Sequence, residues 1–107
     1  MIYKIEDFKK LNQPKKIFIT QHSRKRFFER GISLKDVCKA IDNGEIIEQY
    51  PEDFPVPSCL ILGNNNDNDK VIHVVASIND GIINLITAYI PDIDKWENDF
   101  KTRKEES

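Results

Sequence analysis

The pattern of apolar and polar positions divides the chain into a helical first part and a strand-rich second part. Apolar residues recur near helical spacing in three stretches, and the predicted helices are 3–11, 21–30 and 34–42. Thr20 is a typical N-cap for the second helix, and Gly31 is placed to end it in a left-handed conformation. Ser33 and Asp36 have the spacing of a capping box, which marks the start of the third helix.

After residue 44 the pattern changes to β-branched and alternating residues, which are typical of strands. The predicted strands are 45–50, 58–62, 71–78 and 82–90, and a brief extended piece is predicted at 17–19. Three prolines within 51–57 indicate a rigid connection, and the polar run 63–69 predicts a mobile loop. Asp94 is a candidate cap for a last short helix that reaches Phe100, after which the chain is expected to fray.

These elements predict an α+β fold of two layers. The N-terminal helices pack on a four-stranded antiparallel sheet, and a short helix follows at the C-terminus. The length of 107 residues suits one domain, so residues 1–107 are expected to form a single unit.

The run 79–81 (NDG) predicts a hairpin between the last two strands, with a loop of either two or three residues. A two-residue turn sends His73 to the same face as Ala88. A three-residue loop puts His73 opposite Thr87 and on the same face as Tyr89. We prefer the three-residue loop because it gives one nearly continuous apolar face, made of Ile72, Val74, Ala76, Ile78, Ile82, Ile86, Ala88 and Ile90.

Composition narrows the class of protein. Hydrophobic residues make up 39% of the chain and charged residues 32%, which suits a small soluble domain. There is no apolar run of about 20 residues and no charged-then-apolar leader, so we expect neither a membrane protein nor a secreted one. Two cysteines do not make a disulfide framework, and the expected location is the cytoplasm.

Charge is distributed unevenly along the chain. Residues 1–39 carry eleven Lys and Arg against four Asp and Glu, a net charge of +7, whereas residues 40–107 carry a net charge of −9. A basic first third is the electrostatic footprint of a polyanion-binding surface. It is equally typical of a solvated basic helix that pairs with acidic residues elsewhere.

The second predicted helix concentrates this positive charge. His22, Arg26 and Arg30 follow i, i+4, i+8 spacing and form one ridge, whereas Arg24 falls near the apolar side and Lys25 adds a further cation. Guanidinium groups bind phosphates through two hydrogen bonds and stabilise the charge of a phosphoryl transition state. The helix is therefore a candidate phosphate site, and the alternative is that its arginines only make structural ion pairs.

His73 lies in an apolar strand, where a lone histidine is more often structural than functional. Together with His22, Tyr89 and several arginines, it suits metal-free cleavage of RNA. In that reaction one group takes the ribose 2′-hydroxyl proton, another protonates the leaving oxygen, and cations hold the developing charge. Tyr89 is a candidate proton donor or base-stacking residue, with a tyrosine at the edge of the core as the alternative.

No cofactor or metal site is expected. Cys38 and Cys59 have apolar neighbours and are interpreted as small core residues. Two histidines and two cysteines scattered in this way are a weak metal signal, and no nucleotide-binding loop or nucleophile elbow is present.

Four phrases occur in order along the chain: ITQHSRKRFFERGIS, GEIIEQYPEDFPVPSCLILG, IHVVASI and ITAYIPDIDKWENDFKTR. Over about residues 17–103 the sequence resembles a prokaryotic family catalogued only as a domain of unknown function, number 4258. That family is similar to the RelE/BrnT/MqsR-like toxins, which are small α+β endoribonucleases of type II toxin–antitoxin systems. The resemblance implies mRNA cleavage through a 2′,3′-cyclic phosphate and a zinc-finger, MqsA-like antitoxin as the partner.

The motif residues that match the family are His22, Arg24, Arg26 and Arg30 on the helix, and His73, Thr87 and Tyr89 on the strands. Our first hypothesis is therefore a metal-independent endoribonuclease. Its proton-transfer pair would be His22 and His73, with Tyr89 as an auxiliary donor. The expected substrate contacts are Arg24, Lys25, Arg26, Arg30 and Thr87.

Two other classes of function stay open. One is a non-catalytic module that binds nucleic acid or protein, which the net charge of −2 favours. The other is a structural partner protein that pairs through an edge of its sheet. The sequence does not indicate an oligomeric state.

Overall fold

The computed structural model describes residues 3–65 and 70–105 of the 107-residue chain. In chain order the α-helices and strands of these residues are α1 (Ile5–Lys10), β1 (Ile17–Ile19), α2 (Gln21–Glu29), α3 (Leu34–Asp42), β2 (Glu45–Tyr50), β3 (Ser58–Asn64), β4 (Val71–Asn79) and β5 (Ile82–Tyr89), and a 3₁₀ turn (Pro14–Lys16) precedes β1. The loop predicted to be mobile, 63–69, begins inside β3, and its residues 66–69 lie outside the described part of the chain.

The ends of α2 and α3 follow the capping signals in the sequence. Thr20 Oγ1 accepts a hydrogen bond of 3.0 Å from the backbone amide of Ser23. Ser33 and Asp36 cap each other's backbone amides, both at 3.0 Å, and form the predicted capping box. Gly31 has a φ of +69°, so it ends the α2 region in the left-handed conformation. These predictions are confirmed.

Helix α1 begins later than predicted because Tyr3 pairs with the sheet instead. The Gln49 side chain donates 2.8 Å to the carbonyl of Tyr3, and the Tyr3 hydroxyl donates 2.7 Å to the carbonyl of Pro57. The start of the described chain is thereby fastened to the strands.

The sheet has five strands rather than four, in the order β1-β5-β4-β3-β2. Strands β2 to β5 form the predicted antiparallel meander, so the α+β class is confirmed. The prediction of a purely antiparallel sheet was wrong, because β1 lies parallel to β5, with Ile17 opposite Ile83 and Ile19 opposite Leu85. The three residues of β1 contain no sequence signal that would predict pairing with a strand more than 60 residues later.

The predicted C-terminal helix does not form. Residues 95–104 instead make a narrow antiparallel loop, in which the amide of Glu97 donates 2.8 Å to the carbonyl of Thr102. The amide of Asp94 donates to the side chain of Asp92, so Asp94 caps no helix. Residues 91–105, called the C-terminal segment below, fold back over the sheet, and this packing replaces helix formation.

The hairpin between β4 and β5 has a two-residue turn, so the preferred three-residue loop was wrong. Asp80 and Gly81 both have positive φ, +53° and +73°, as a type I′ turn requires. Asn79 therefore pairs with Ile82.

A bulge at Ile86 then changes the register of the hairpin. Beyond it Val75 pairs with Thr87, and His73 lies opposite Tyr89. The shared face of His73 and Tyr89 is confirmed, although their register is not the predicted one. The prediction assumed an unbroken alternation, and a bulge reverses alternation by one residue.

The three helices cover one face of the sheet and bury the core against it. This core includes Phe8, Phe27, Ile32, Val37, Ile41, Ile61, Ile72, Val74, Ile83 and Leu85. Ile86, predicted to lie on the apolar face, is 45% exposed because the bulge turns it outward. Helix α3 approaches β3 so closely that a Cβ on Gly63 would lie 2.0 Å from the carbonyl oxygen of Ala40.

The opposite side of the sheet is called the outer face. Alternate residues of β2 to β5 point toward it, and the C-terminal segment packs on one end of it. Within residues 3–65 and 70–105, none of the helices combines the length and the apolar character needed to cross a membrane.

Candidate functional site

Polar and aromatic side chains from distant parts of the sequence meet on the outer face, and we call this group the outer cluster. Its members are Glu48, Tyr50, His73, Tyr89, Trp96 and Arg103. Two bulges position the strand residues, one at Ile47 in β2 and one at Ile86 in β5. Each bulge adds one residue and reverses the alternation, so the first residue after it, and every second residue from there, points to the outer face.

His73 is the buried centre of the outer cluster, with 0% of its surface exposed. Its ring meets the rings of Tyr89 and Trp96 edge-on, with centroids 5.3 and 4.6 Å away. Its Nε2 atom lies 2.8 Å from the carbonyl oxygen of Phe100. Because a carbonyl only accepts, Nε2 carries the proton. In the neutral ring Nδ1 is then an acceptor, and it faces the Tyr89 hydroxyl at 3.4 Å.

Burial sets the protonation of the two aromatic groups at the centre of the cluster. It lowers the pKa of His73, against the opposing effect of the hydrogen bond to Phe100. Burial raises the pKa of Tyr89. At neutral pH the imidazole is therefore neutral and the phenol keeps its proton.

Glu48 and Arg103 form the charged pair of the outer cluster. Arg103 donates from Nε and Nη2 to the two carboxylate oxygens of Glu48, at 2.9 and 3.0 Å, and its guanidinium lies 4.6 Å from the centre of the Trp96 ring. These hydrogen bonds lower the pKa of Glu48, so its carboxylate is ionised. The chain was predicted to fray in this region, and that prediction was wrong through Arg103 because the ion pair anchors it.

Tyr50 completes this side of the cluster by donating its hydroxyl proton to Glu48. Burial and the hydrogen bond to Glu48 both raise the pKa of Tyr50. The site therefore offers an ionised carboxylate, a neutral imidazole, two protonated phenols and a guanidinium.

Arg30 connects the basic helix α2 to the edge of β5 beside this cluster. Its Nη1 atom donates to Thr87 Oγ1 at 3.1 Å and to the carbonyl of Ala88 at 2.8 Å. Strand β1 pairs only with the first half of β5, so carbonyls of the second half are open to side chains of α2. Thr87 and Tyr89 are two residues apart on one face of β5, which brings the Arg30 guanidinium next to the outer cluster.

The other basic residues of α2 lie farther away. His22 and Arg26 are exposed and continue the ridge of Arg30 along the helix. Arg30 lies eight positions after His22, which is about 12 Å along the helix axis. Arg24 borders a small hollow on another side of α2, and Lys25 is exposed.

The structure thus brings together one half of the predicted site residues, namely Arg30, His73, Thr87 and Tyr89. The other half stays along α2, namely His22, Arg24, Lys25 and Arg26. Sequence reasoning missed Glu48, Tyr50 and Arg103. The EIIEQY phrase contains the first two and was the available signal, but the bulge at Ile47 hides their common face with His73.

The cysteines lie apart from this site. Cys38 is half-buried, Cys59 is buried, and both are free thiols whose pKa is raised by burial. Among the residues that the structure describes, no group of three or more His, Cys, Asp or Glu is placed to hold a metal ion.

The fold and the outer cluster define a small α+β domain with a histidine, tyrosine and carboxylate site on the open side of a mixed sheet. A family model described as a domain of unknown function (DUF4258) matches residues 19–90, which is well over half of the chain. The chain belongs to this family. The match spans α2 and β2 to β5 and ends before the C-terminal segment. No curated protein and no solved structure matches the chain.

Proposed function

We propose that the protein is a metal-independent endoribonuclease. The ribose 2′-hydroxyl attacks the adjacent phosphate, and the products carry a 2′,3′-cyclic phosphate and a free 5′-hydroxyl. The observation that carries the proposal is the hydrogen bond from Arg30 to Thr87, because it joins the basic helix to the part of β5 that lies beside the outer cluster. A base, an acid and cations are what this reaction requires, and distant parts of the chain supply them here.

The protonation states suggest a role for each group. Glu48 is ionised and is the candidate base for the 2′-hydroxyl proton. A phosphate that draws Arg103 toward itself leaves the Glu48 carboxylate free to accept that proton. Tyr89 is the candidate acid for the leaving 5′-oxygen, and Arg30 with Arg103 neutralises the charge that builds up on phosphorus.

His73 becomes a positioning residue in this proposal. It is fully buried and holds Tyr89 through Nδ1, so it acts on the substrate through Tyr89 rather than by contact. His22 lies two helical turns from Arg30 on the same ridge, and its proposed role is therefore binding of the RNA backbone together with Arg26 and the neighbouring Lys25.

The test is cleavage of single-stranded RNA by the purified protein in EDTA. Glu48→Gln and Tyr89→Phe are each expected to lower the cleavage rate about 100-fold or more. Glu45→Gln is the matched control, since Glu45 is also a β2 glutamate on the outer face and pairs with Lys101 at 3.0 Å. Intact RNA with folded wild-type protein, or equal loss in the Glu45→Gln variant, would overturn the proposal.

The biological role that we propose is that of a cytoplasmic toxin related to the RelE/BrnT/MqsR-like nucleases, inhibited by a zinc-finger antitoxin. The resemblance of the four sequence phrases supports this proposal. Induced expression in a bacterium is expected to arrest growth, and Glu48→Gln is expected to relieve the arrest. Normal growth with soluble wild-type protein would contradict a toxin role and leave the biochemical assay to decide the nuclease activity.

A second candidate is a non-catalytic nucleic-acid-binding module. The observation that favours it is the saturation of the outer cluster, in which both ring nitrogens of His73 and both carboxylate oxygens of Glu48 are engaged within the protein. Such a network also serves to hold the C-terminal segment in place. This candidate predicts RNA that binds to the ridge on α2 and stays intact under single-turnover conditions.

A further inference from the structure

A separate hollow lies on the outer face near the β4–β5 turn. Its volume is about 340 Å³, which lies within the range of small-molecule sites. The connection between β2 and β3 forms its wall with residues 53–56, and the strands form its floor with Ser77, Asn79, Asn84 and Ile86. None of these residues belongs to the outer cluster.

Phe54 is the most exposed large apolar side chain of this wall, with 94% of its surface accessible. The loop that carries it is held at Asp53, the residue before Phe54, by contacts to both neighbouring strands. The amide of Asp53 donates 3.2 Å to the carbonyl of Tyr50, and the Asp53 carboxylate accepts the hydroxyl proton of Ser58. An exposed aromatic ring at the rim of a hollow presents a flat face on which another ring can stack.

The floor supplies the polar groups that a nucleobase needs. Asn84 lies directly opposite Ser77 in the sheet, and both point to the outer face. A side-chain amide carries both donors and an acceptor, which matches the edge of a base. Among the residues that the structure describes, no lysine or arginine lines this hollow, and its one charged side chain is the carboxylate of Asp53. Its chemistry therefore suits a neutral ring rather than a phosphate.

We propose that this hollow binds a nucleobase of single-stranded RNA. The base stacks on Phe54 and pairs its edge with Asn84, as in other single-strand readers. The inference rests on the proposed function for its substrate class. His73 and Ser77 lie four residues apart on the same face of β4, about 13 Å. An RNA strand whose phosphate lies at Arg30 and Tyr89 therefore extends a neighbouring base toward the hollow.

The test is a titration of ¹⁵N-labelled protein with the four ribonucleoside 5′-monophosphates, followed by NMR. The side-chain amide signals of Asn84 and Asn79 are expected to shift with at least one nucleotide and not with ribose 5-phosphate. Phe54→Ala is expected to weaken this binding about fivefold or more, and Phe54→Tyr is expected to restore it. Phe28→Ala is the matched control, because Phe28 is 84% exposed on α2 and lines a different hollow.

The outcomes separate this site from the nuclease activity. Shifts at Asn84 without RNA cleavage support the base site and overturn the nuclease. RNA cleavage without any nucleotide-dependent shift at Asn84 overturns the base site alone. Equal shifts with ribose 5-phosphate, or binding lost in Phe28→Ala and kept in Phe54→Ala, also overturn the base site. Because Phe54 is solvent-exposed, its alanine variant is expected to fold normally.

Discussion

His73 donates a hydrogen bond of 2.8 Å from Nε2 to the carbonyl oxygen of Phe100, and this bond joins the sheet to the C-terminal segment. His73 lies within residues 19–90, which the family model matches, whereas Phe100 lies in the C-terminal segment beyond the match. The two regions therefore form one site. The bond also fixes which nitrogen of the ring accepts from Tyr89. The C-terminal segment therefore determines the tautomer that the site uses.

The tautomer and pKa of His73 can be measured directly. A His22→Gln variant leaves His73 as the one histidine of the chain. Imidazole NMR is expected to show the proton on Nε2 and a pKa below the ordinary value of 6.5, because burial disfavours the charged ring. A proton on Nδ1 would show that the Phe100 contact does not form in solution, and a pKa above 6.5 would show that burial does not dominate the pKa of His73.

Trp96 is expected to anchor the C-terminal segment. It is 3% exposed, so Trp96→Ala removes a large buried ring and should lower the free energy of unfolding by about 3 kcal/mol. Ile93→Ala is the control in the same segment, since Ile93 is 57% exposed and should change stability little. Urea unfolding measures both, and equal effects would contradict an anchoring role.

The ion pair between Glu48 and Arg103 predicts a pH-dependent contribution to stability. Arg103 lowers the pKa of Glu48 below its ordinary 4.5 in the folded state. The ionised carboxylate therefore stabilises the fold above about pH 4.5, and this contribution is lost as the pH falls through the folded pKa. The Arg103 side chain is 60% exposed, so we expect less than about 1 kcal/mol.

The measurement for this ion pair is the difference in unfolding free energy between wild type and Glu48→Gln from about pH 7 to about pH 3. The difference is expected to shrink toward low pH, which isolates Glu48 from other carboxylates. A difference that stays constant across this range would argue against the pair.

RNA binding along α2 is expected to depend on which side of the helix a cation occupies. Arg26 lies on the ridge with Arg30, so Arg26→Ala should reduce the slope of log affinity against log salt by about 0.7 for a single strand. Arg24 borders another side of the helix and provides the matched control. A larger change in this slope for Arg24→Ala than for Arg26→Ala would show that the RNA does not bind along the ridge of His22, Arg26 and Arg30.

Gly63 is expected to tolerate no side chain. Its Cβ would lie 2.0 Å from the Ala40 carbonyl oxygen, so Gly63→Ala must push α3 away from β3 and should cost about 3 kcal/mol. Gly81→Ala tests conformation alone, because that site has a φ of +73° and open space, and should cost about 1 kcal/mol. Thermal unfolding compares the two, and equal losses would show that the close helix–strand approach is absent.

Local signals in the sequence predicted the local structure well. The caps at Thr20 and Ser33 depend on side chains within three residues, and the structure has both. The antiparallel meander also followed from short connections between neighbouring strands. By contrast, β1 pairs with β5, and these two strands are far apart in the chain. No local sequence pattern indicates such a pairing.

The candidate site was predictable only in part for a related reason. Periodicity placed His73 and Tyr89 on one face, and the helical ridge pointed to Arg30. Glu48 was not predicted because a bulge at Ile47 interrupts the alternation of β2. Arg103 was not predicted because the polar, charged composition of its segment is typical of a frayed chain end. Irregular backbone and long-range folding back are the features that patterning does not reveal.

The bulge at Ile86 makes the length of β5 as important as its composition. Before it, Ile83 and Leu85 point into the core, and after it Ala88 takes the inward position while Thr87 and Tyr89 point to the outer face. Because Ile86 is the extra residue, Leu85 and Thr87 already oppose consecutive residues of β4, Ala76 and Val75. A one-codon deletion of Ile86 would therefore leave a regular ladder with Thr87 and Tyr89 still on the outer face. The bulge is thus a point at which β5 is expected to tolerate the loss of one residue, whereas a deletion among the regularly paired residues before it would shift every later pair.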